Sequence, residues 1–333
     1  MKTKDCSVFT EVAKTSTEFA EKHKINRQPW AIVGHGAIGL LAAANAVLNG
    51  ALPVQLLQRA SSTTASFAFS FCQQQQEYPL LISTLANNEP FKYLLIPVKA
   101  YAVSTALAQY LGKLADDAQI VLCHNGMGTI EQVLPMLKPN QGLWFASTTH
   151  GAYKSSAHRL VHSGQGQTIL GAVNDLAKQF VQPQSDKQNP VLLAMKQMLG
   201  PCELTEDILP FLWQKLAINL VINSLTALHN VKNGALAAAE YQQITAALLD
   251  EFITVAQSSG QVFTKAKLQA QIGQVITQTA ENYSSMLQDV KYGRRSEAEY
   301  ISGFLLAQAK HYQLELPTIQ QLHQALIALE RSN

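Results

Sequence analysis

Charge is what this chain has least of. Asp, Glu, Lys and Arg make up 14% of its 333 residues, against roughly 25% in an average soluble domain. The 25 basic and 23 acidic side chains leave a formal net charge of +2. No block of Lys and Arg occurs, and no interleaving of basic with aromatic residues, so the electrostatic footprint of a nucleic-acid partner is missing. Cysteine is scarce too: Cys6, Cys72, Cys123 and Cys202 are scattered with no C-x-x-C spacing. That pattern supports neither a disulfide framework nor a zinc site; no metal is expected, and reduced cytoplasmic thiols are the default. The first 28 residues lack an apolar run and do not read as a signal peptide. From Gln28 to Gln58 no charged residue appears, which is long enough to span a membrane. Gly34, His35, Gly36, Gly39, Asn45, Asn49 and Pro53 cut that stretch into strand, helix and strand, so no membrane partner is expected.

What is abundant is apolar residue, 47% of the chain, enough to fill two domains of ordinary size. The stretch around which they are organised is Trp30 to Gly39, Trp-Ala-Ile-Val-Gly-His-Gly-Ala-Ile-Gly. Trp30 to Val33 reads as a buried strand, Gly34, Gly36 and Gly39 form G-x-G-x-x-G, and the Ala- and Leu-rich run from Ala37 to Leu48 reads as a helix. Strand, glycine turn and helix in that order are the context for dinucleotide binding. Gly34 allows the tight turn, Gly36 the approach of a pyrophosphate, and Gly39 close packing of helix on strand. The helix N-terminus then offers N–H groups and a dipole to the phosphates. A second apolar strand, Val54 to Leu57, ends just before Arg59, 20 residues past Gly39. An acidic residue there would select NAD; an Arg favours the 2′-phosphate of NADP, although an ordinary solvated Arg fits the position as well.

Further along, Tyr-Leu-Leu-Ile-Pro-Val before Lys99, Gln119 to Cys123 and Leu143 to Ala146 read as strands, with a helix from Leu107 to Leu114. Residues 60 to 90 read as short strands and loops. Strands alternating with helices predict a doubly wound parallel sheet with ligands at the carboxyl ends of the strands. Lys99, Asn125 in His124-Asn125-Gly126-Met127-Gly128, and the Thr148-Thr149-His150 turn fall at such ends; taken alone, Asn125-Gly126 is also a common turn former. Leu160 to Leu170 reads as a hairpin turning at Ser163-Gly164-Gln165-Gly166. Beyond Val173 the pattern is almost wholly helical. The expected organisation is an extension over 1–28, a dinucleotide-binding domain over 29–195 and a helical domain over 196–333.

In Phe211 to His229, Lys215, Asn219 and Asn223 recur every four residues on an otherwise apolar helix. Steps of four drift only about 40° around a helix, so the three share a face. One Lys with two carboxamides suits a polar cleft, but the wet side of an amphipathic helix has the same pattern. Spacing does not set Ser285 and Glu297 apart from ordinary helix and loop residues.

Together these blocks, with Trp213-Gln214-Lys215-Leu216-Ala217-Ile218-Asn219, Ser284-Ser285-Met286-Leu287-Gln288-Asp289 and Arg295-Ser296-Glu297, resemble the 2-dehydropantoate 2-reductase (ketopantoate reductase) family, NADPH enzymes of pantothenate biosynthesis, over residues 30 to 310. The resemblance implies an N-terminal Rossmann-type domain and an all-helical C-terminal domain like that of 6-phosphogluconate dehydrogenase. It implies Lys215 as proton donor, and Asn219, Asn223, Asn233 and Ser285 on the substrate's carboxylate and hydroxyl ends. Asn125 would touch cofactor and substrate; Gly34, His35, Gly36, Ala37, Ile38, Gly39, Arg59, Lys99, Ala152 and Glu297 would serve NADP. The chain departs from the pattern in its longer N-terminal extension, in Ser224 where many relatives have Pro, and in Tyr153 to Ser156, which lack a basic pair. A monomer or homodimer is expected. Two readings compete: a paralogue reducing another 2-keto acid, and a non-catalytic NADP-binding regulator.

Overall fold

The structure is a computed structural model that describes residues 28–49, 52–57, 65–84, 90–181 and 189–332. Arg59 and most of the N-terminal extension lie outside the described residues. The chain divides into two compact units, one formed by the chain up to His124 together with Thr129–Ile208, the other by Asn125–Gly128 and Leu209–Asn333.

The first unit is built on one sheet. Its elements run β1 (Trp30–Val33), α1 (Ala37–Leu48), β2 (Val54–Leu57), β3 (Ser66–Gln73), β4 (Gln76–Ser83), β5 (Phe91–Ile96), α2 (Val103–Ala108), β6 (Leu114–Leu122), α3 (Thr129–Val133), β7 (Gly142–Thr148), β8 (Gly151–Ser156), β9 (Arg159–Gly164), β10 (Thr168–Ala172), α4 (Asp175–Lys178), α5 (Pro190–Leu199) and β11 (Cys202–Thr205). The strands lie in the order β11-β10-β7-β6-β5-β1-β2-β4-β3-β9-β8. The middle, from β7 to β2, is parallel. Its strands are apolar runs because they are covered on both faces: all four residues of β1 are buried, as are Ala118 to Leu122 of β6.

The flanks add antiparallel pairs to the expected parallel sheet. On one side β10 runs antiparallel to β7 and carries β11 in parallel; on the other, β3 and β4 form an antiparallel hairpin. In β3 every second residue, Phe67, Phe69 and Phe71, pairs with an apolar or aromatic partner, Ile82, Leu80 or Tyr78. The hairpin closes through Gln74 and Gln75, both in the left-handed region (φ 49° and 65°), a conformation usually given to Gly or Asn. The hairpin expected over Leu160–Leu170 does not form. β9 pairs with β3 and β8, whereas β10 pairs with β7 and β11. The Ser163–Gly166 stretch is therefore a crossing between strands, passing so close to Thr149 and His150 that a Cβ at Gly166 would overlap their backbone. The helix expected over Leu107–Leu114 is shorter: α2 stops at Ala108, and β6 starts at Leu114, five residues before the expected strand.

The expected boundary, near 183–210 and drawn at 195/196, falls within α5 at that point. That helix packs on α1, and the two Asn residues of the apolar first helix region are spent on it: Asn45 Nδ2 donates to the Met198 carbonyl at 3.0 Å and Asn49 Nδ2 to that of Gln197 at 2.9 Å. β11, following α5, is a strand of the sheet. The units divide after Ile208.

The second unit is helical: α6 (Leu209–His229), α7 (Gln242–Ser258), α8 (Lys265–Gln278), α9 (Ser285–Lys291), α10 (Ala298–His311) and α11 (Pro317–Ser332). Trp213 of α6 sits edge-on to Phe252 of α7 and Phe304 of α10, with ring centroids 5.8 and 5.7 Å away. Three of these helix starts are held by side chains, which satisfy unpaired N-terminal donors. Thr264 caps α8 and Ser284 caps α9, while the Glu251 carboxylate accepts from Thr318 and Ile319 N–H, both at 2.8 Å, at the start of α11. Among the described residues α6 alone is long and apolar enough to cross a membrane; two thirds of its apolar window (67%) is buried inside the protein.

Candidate active site

The glycine turn has the geometry its sequence calls for. Gly34 has φ +77°, and its N–H donates to the Leu57 carbonyl at 2.8 Å, joining the turn to the end of β2. A Cβ on Gly39 would lie 3.0 Å from the Gly34 carbonyl oxygen and 3.2 Å from Pro97 Cγ, so only glycine lets α1 approach β1 this closely. Gly36 caps α1 with no side-chain hydrogen bond, and the first turn holds no acidic residue. The N–H groups of Ala37 and Ile38 and the positive end of α1 are thus left for an anion from outside. The site fits a dinucleotide pyrophosphate.

Around the turn, His35 is exposed, its ring centroid 5.2 Å from that of Phe67. Lys154 Nζ, from β8, donates to the His35 carbonyl at 3.4 Å, and burial holds its ammonium below the usual lysine range. Nothing in the sequence pointed to Lys154, since its neighbour in space is 119 residues away. Ala152 stands two residues earlier on β8, opposite His162 of β9; the period-2 alternation of a strand puts it on the Lys154 face. Lys99 is half-buried just past β5, and its carbonyl accepts from Ala102 N–H at 2.8 Å.

The Thr148-Thr149-His150 turn contains a chain of neutral imidazoles. Gly166 N–H donates to His150 Nδ1 at 3.2 Å, so that nitrogen is an acceptor and the proton sits on Nε2, which donates to the Gly200 carbonyl at 3.1 Å. His162 Nε2 then donates to His150 Nδ1 at 3.1 Å, leaving His162 Nδ1 to accept from Gln73 Nε2 at 3.0 Å. Burial pushes both imidazoles below their ordinary value, and His162 beside it adds to the effect on His150.

The helical unit carries the other group. Between Leu212 and Leu228 no residue of α6 is exposed; Lys215 and Asn219 are half-buried and Asn223 is buried. The Lys-Asn-Asn face is therefore largely covered, more so toward Asn223. Asn219 Nδ2 is buried with no hydrogen-bond partner among the described residues, a donor left free to serve an acceptor from outside the chain. Asn125 Nδ2 donates to Glu297 Oε2 at 3.2 Å. Glu297 is buried at the start of α10, and the Asn125 segment is held there by Met127 N–H on the Tyr300 carbonyl at 2.8 Å. Gly126 (φ +79°) is required at that contact, since its Cβ would meet the Tyr300 backbone.

Ser284 and Ser285 divide their tasks. Buried Ser284 caps α9 and donates its hydroxyl hydrogen to Thr226 Oγ1 of α6 at 2.7 Å, the Thr226 hydrogen being used on the Ile222 carbonyl at 2.6 Å; Ser285 is exposed on the first turn. Asn233 is buried, and its turn is stitched to 279–282: Asn233 N–H donates to the Asn282 carbonyl and Gly234 N–H to that of Ala280, both at 3.0 Å. The candidate residues thus form two groups, one in each unit.

A parallel sheet with a dinucleotide-type glycine turn, joined to a helical unit bearing a half-buried Lys and unsatisfied carboxamides, defines a two-domain nicotinamide-dependent oxidoreductase. A family model described as ketopantoate reductase PanE/ApbA matches residues 30–175, and one described as ketopantoate reductase PanE/ApbA C terminal matches residues 207–330. The chain belongs to that family. The 2-dehydropantoate 2-reductase of Vibrio cholerae is 33% identical over 306 residues, 90% of this chain and 97% of that one. Among solved structures, the probable 2-dehydropantoate 2-reductase of Bacillus subtilis superposes with a TM-score of 0.74 at 25% identity, covering 90% of this chain and 99% of that one. The dimeric ketopantoate reductase of Staphylococcus aureus shares the fold, with a TM-score of 0.74 at 22% identity over 91% of this chain and 99% of that one.

Proposed function

We infer that the chain reduces 2-dehydropantoate to pantoate with NADPH. Family membership over both units carries the reading; the fit of the glycine turn to a dinucleotide and the Lys-Asn-Asn face of α6 support it. Bound NADPH supplies the hydride to C2 of the keto acid. Gly34, His35, Gly36, Ala37, Ile38 and Gly39 hold its pyrophosphate; Lys99, Ala152, Asn125 and Glu297 line it, and Arg59 reads the 2′-phosphate.

As hydride reaches C2, the carbonyl oxygen gains charge, and the Lys215 ammonium stabilises it and passes it a proton. Asn219 donates from Nδ2 to the substrate carboxylate, so its orphaned donor gains a charged acceptor. Asn223, Asn233 and Ser285 hold the remaining polar atoms without adding charge, which keeps the one ammonium as the local positive centre. The Glu297 carboxylate, accepting from Asn125, fixes which end of that amide faces the ligands. The protein works in the cytoplasm and is a monomer or, like the S. aureus relative, a dimer.

Ketopantoate-dependent oxidation of NADPH by the purified protein tests the reading. Pantoate as product supports it; NADPH bound tightly without turnover on this substrate overturns it.

A further inference from the structure

Asn233 is more than 90% buried, yet its Oδ1 has no hydrogen-bond partner among the described residues. Its other amide atom is committed: Nδ2 donates to Thr279 Oγ1 at 2.9 Å. Thr279 Oγ1 in turn donates its single hydrogen to the Val275 carbonyl at 2.7 Å, one turn back along α8. These two bonds set the polarity of the chain. With its hydrogen used, the Thr279 hydroxyl presents only lone pairs to Asn233 and accepts only from an N–H. Turned the other way, the amide would set Asn233 Oδ1 and the Val275 carbonyl to compete for one hydrogen. The backbone cannot relax to permit this, because the 232–234 turn is bonded to Asn282 and Ala280 and Gly234 lies so close to Ala280 that a Cβ would stand 2.8 Å from its methyl group.

We propose that Thr279 is a positioning residue that locks the Asn233 amide with its oxygen toward the ligand, so that the site selects 2-oxo acids carrying a hydroxyl donor. The proposal rests on the reading of the chain as a ketopantoate reductase, and it assigns Asn233 to the hydroxyl end of that substrate rather than to the carboxylate. A carboxylate offers only acceptors and gains nothing from Oδ1; a hydroxyl supplies the missing hydrogen. A buried acceptor left unpaired rejects an analogue without the hydroxyl far more strongly than a lost methylene would.

The test compares ketopantoate with 3,3-dimethyl-2-oxobutanoate, the same skeleton with the hydroxyl removed. The wild-type protein should prefer ketopantoate by tenfold or more in kcat/KM, as expected for a site built around a hydroxyl. Thr279→Val removes the acceptor that holds the amide. It should lower kcat/KM for ketopantoate by about tenfold, through KM, and leave that for the deoxy acid unchanged. Thr279→Ser, which keeps the hydroxyl, should restore the preference, and Thr279→Ala should reproduce the Val result if the added methyl group hinders folding. An equal loss on both substrates would make Thr279 a purely structural residue, and an unchanged ratio would detach it from substrate selection. Either overturns the proposal, whereas a wild-type protein inactive on both acids would overturn the functional reading itself.

Discussion

Replacing Asn219 by Leu should pull stability and activity in opposite directions. Asn219 lies on α6, where no neighbour from Leu212 to Leu228 is exposed, and its Nδ2 is buried without an acceptor among the described residues. A buried unpaired donor costs about 1–3 kcal/mol, and Leu, with the same branching and side-chain heavy-atom count but bulkier methyl groups, and a better helix former by a few tenths of a kcal/mol, removes that cost. Allowing for imperfect fit of the branched side chain, the variant should gain about 1 kcal/mol, a rise in Tm of about 2 °C in a protein of this size. In catalysis the same change deletes a donor to the substrate carboxylate. Hydrogen bonds to charged groups contribute about 1.5–3 kcal/mol, so kcat/KM for ketopantoate should fall about 10- to 150-fold. Thermal unfolding followed by circular dichroism and steady-state oxidation of NADPH read the two effects on one preparation. A variant that melts several degrees lower while keeping kcat/KM within about twofold would show that Asn219 holds the helix bundle together and does not serve the substrate.

The other perturbations probe the reacting oxygen and the histidine chain. Lys215→Ala should lower kcat about a hundredfold or more, the usual cost of losing a general acid; near-normal kcat would remove its role. The His150–His162 pair is held below the ordinary imidazole value of 6.5 by burial. The unfolded chain therefore takes up protons at higher pH than the folded one, so this stability is fully present above pH 6.5 and is lost as pH falls below it. Protonation would also place a hydrogen on His150 Nδ1, which faces two donors, Gly166 N–H and His162 Nε2. Urea unfolding at pH 7.5 and 5.5 should show a fall in stability that His162→Gln reduces; an equal fall in that variant would contradict the proton assignment.

Local sterics and periodicity made part of this molecule legible in the sequence. The glycine turn and α1 could be read because the positive φ of Gly34 and the close passage of Gly39 over the Gly34 carbonyl are local constraints. The Lys215-Asn219-Asn223 face could be read because a helix repeats. Neither signal distinguished a wet face from a buried one; that required the burial of α6. The β3–β4 hairpin was missed because Gln74 and Gln75, not Gly or Asn, adopt the left-handed turn, at an energetic cost that the long ladder of Phe pairs offsets. Gly164 and Gly166 look like the turn of a hairpin, whereas Gly166 is there for close passage past Thr149 and His150 in the β9–β10 crossing. Glu297 was invisible by spacing because the Asn125 amide it receives is 172 residues away, and the Asn233–Thr279 lock, spanning 46 residues, is equally nonlocal.

The most direct test of the central claim is oxidation of NADPH at 340 nm by the purified protein with ketopantoate, pyruvate, 2-ketoisovalerate and acetoacetate in parallel. A ketopantoate reductase should turn over ketopantoate with a kcat/KM well above that for the other three, and form pantoate in step with NADPH consumed. Faster turnover of any of the other three would contradict the assignment, and would make the chain a reductase of that acid on the same scaffold.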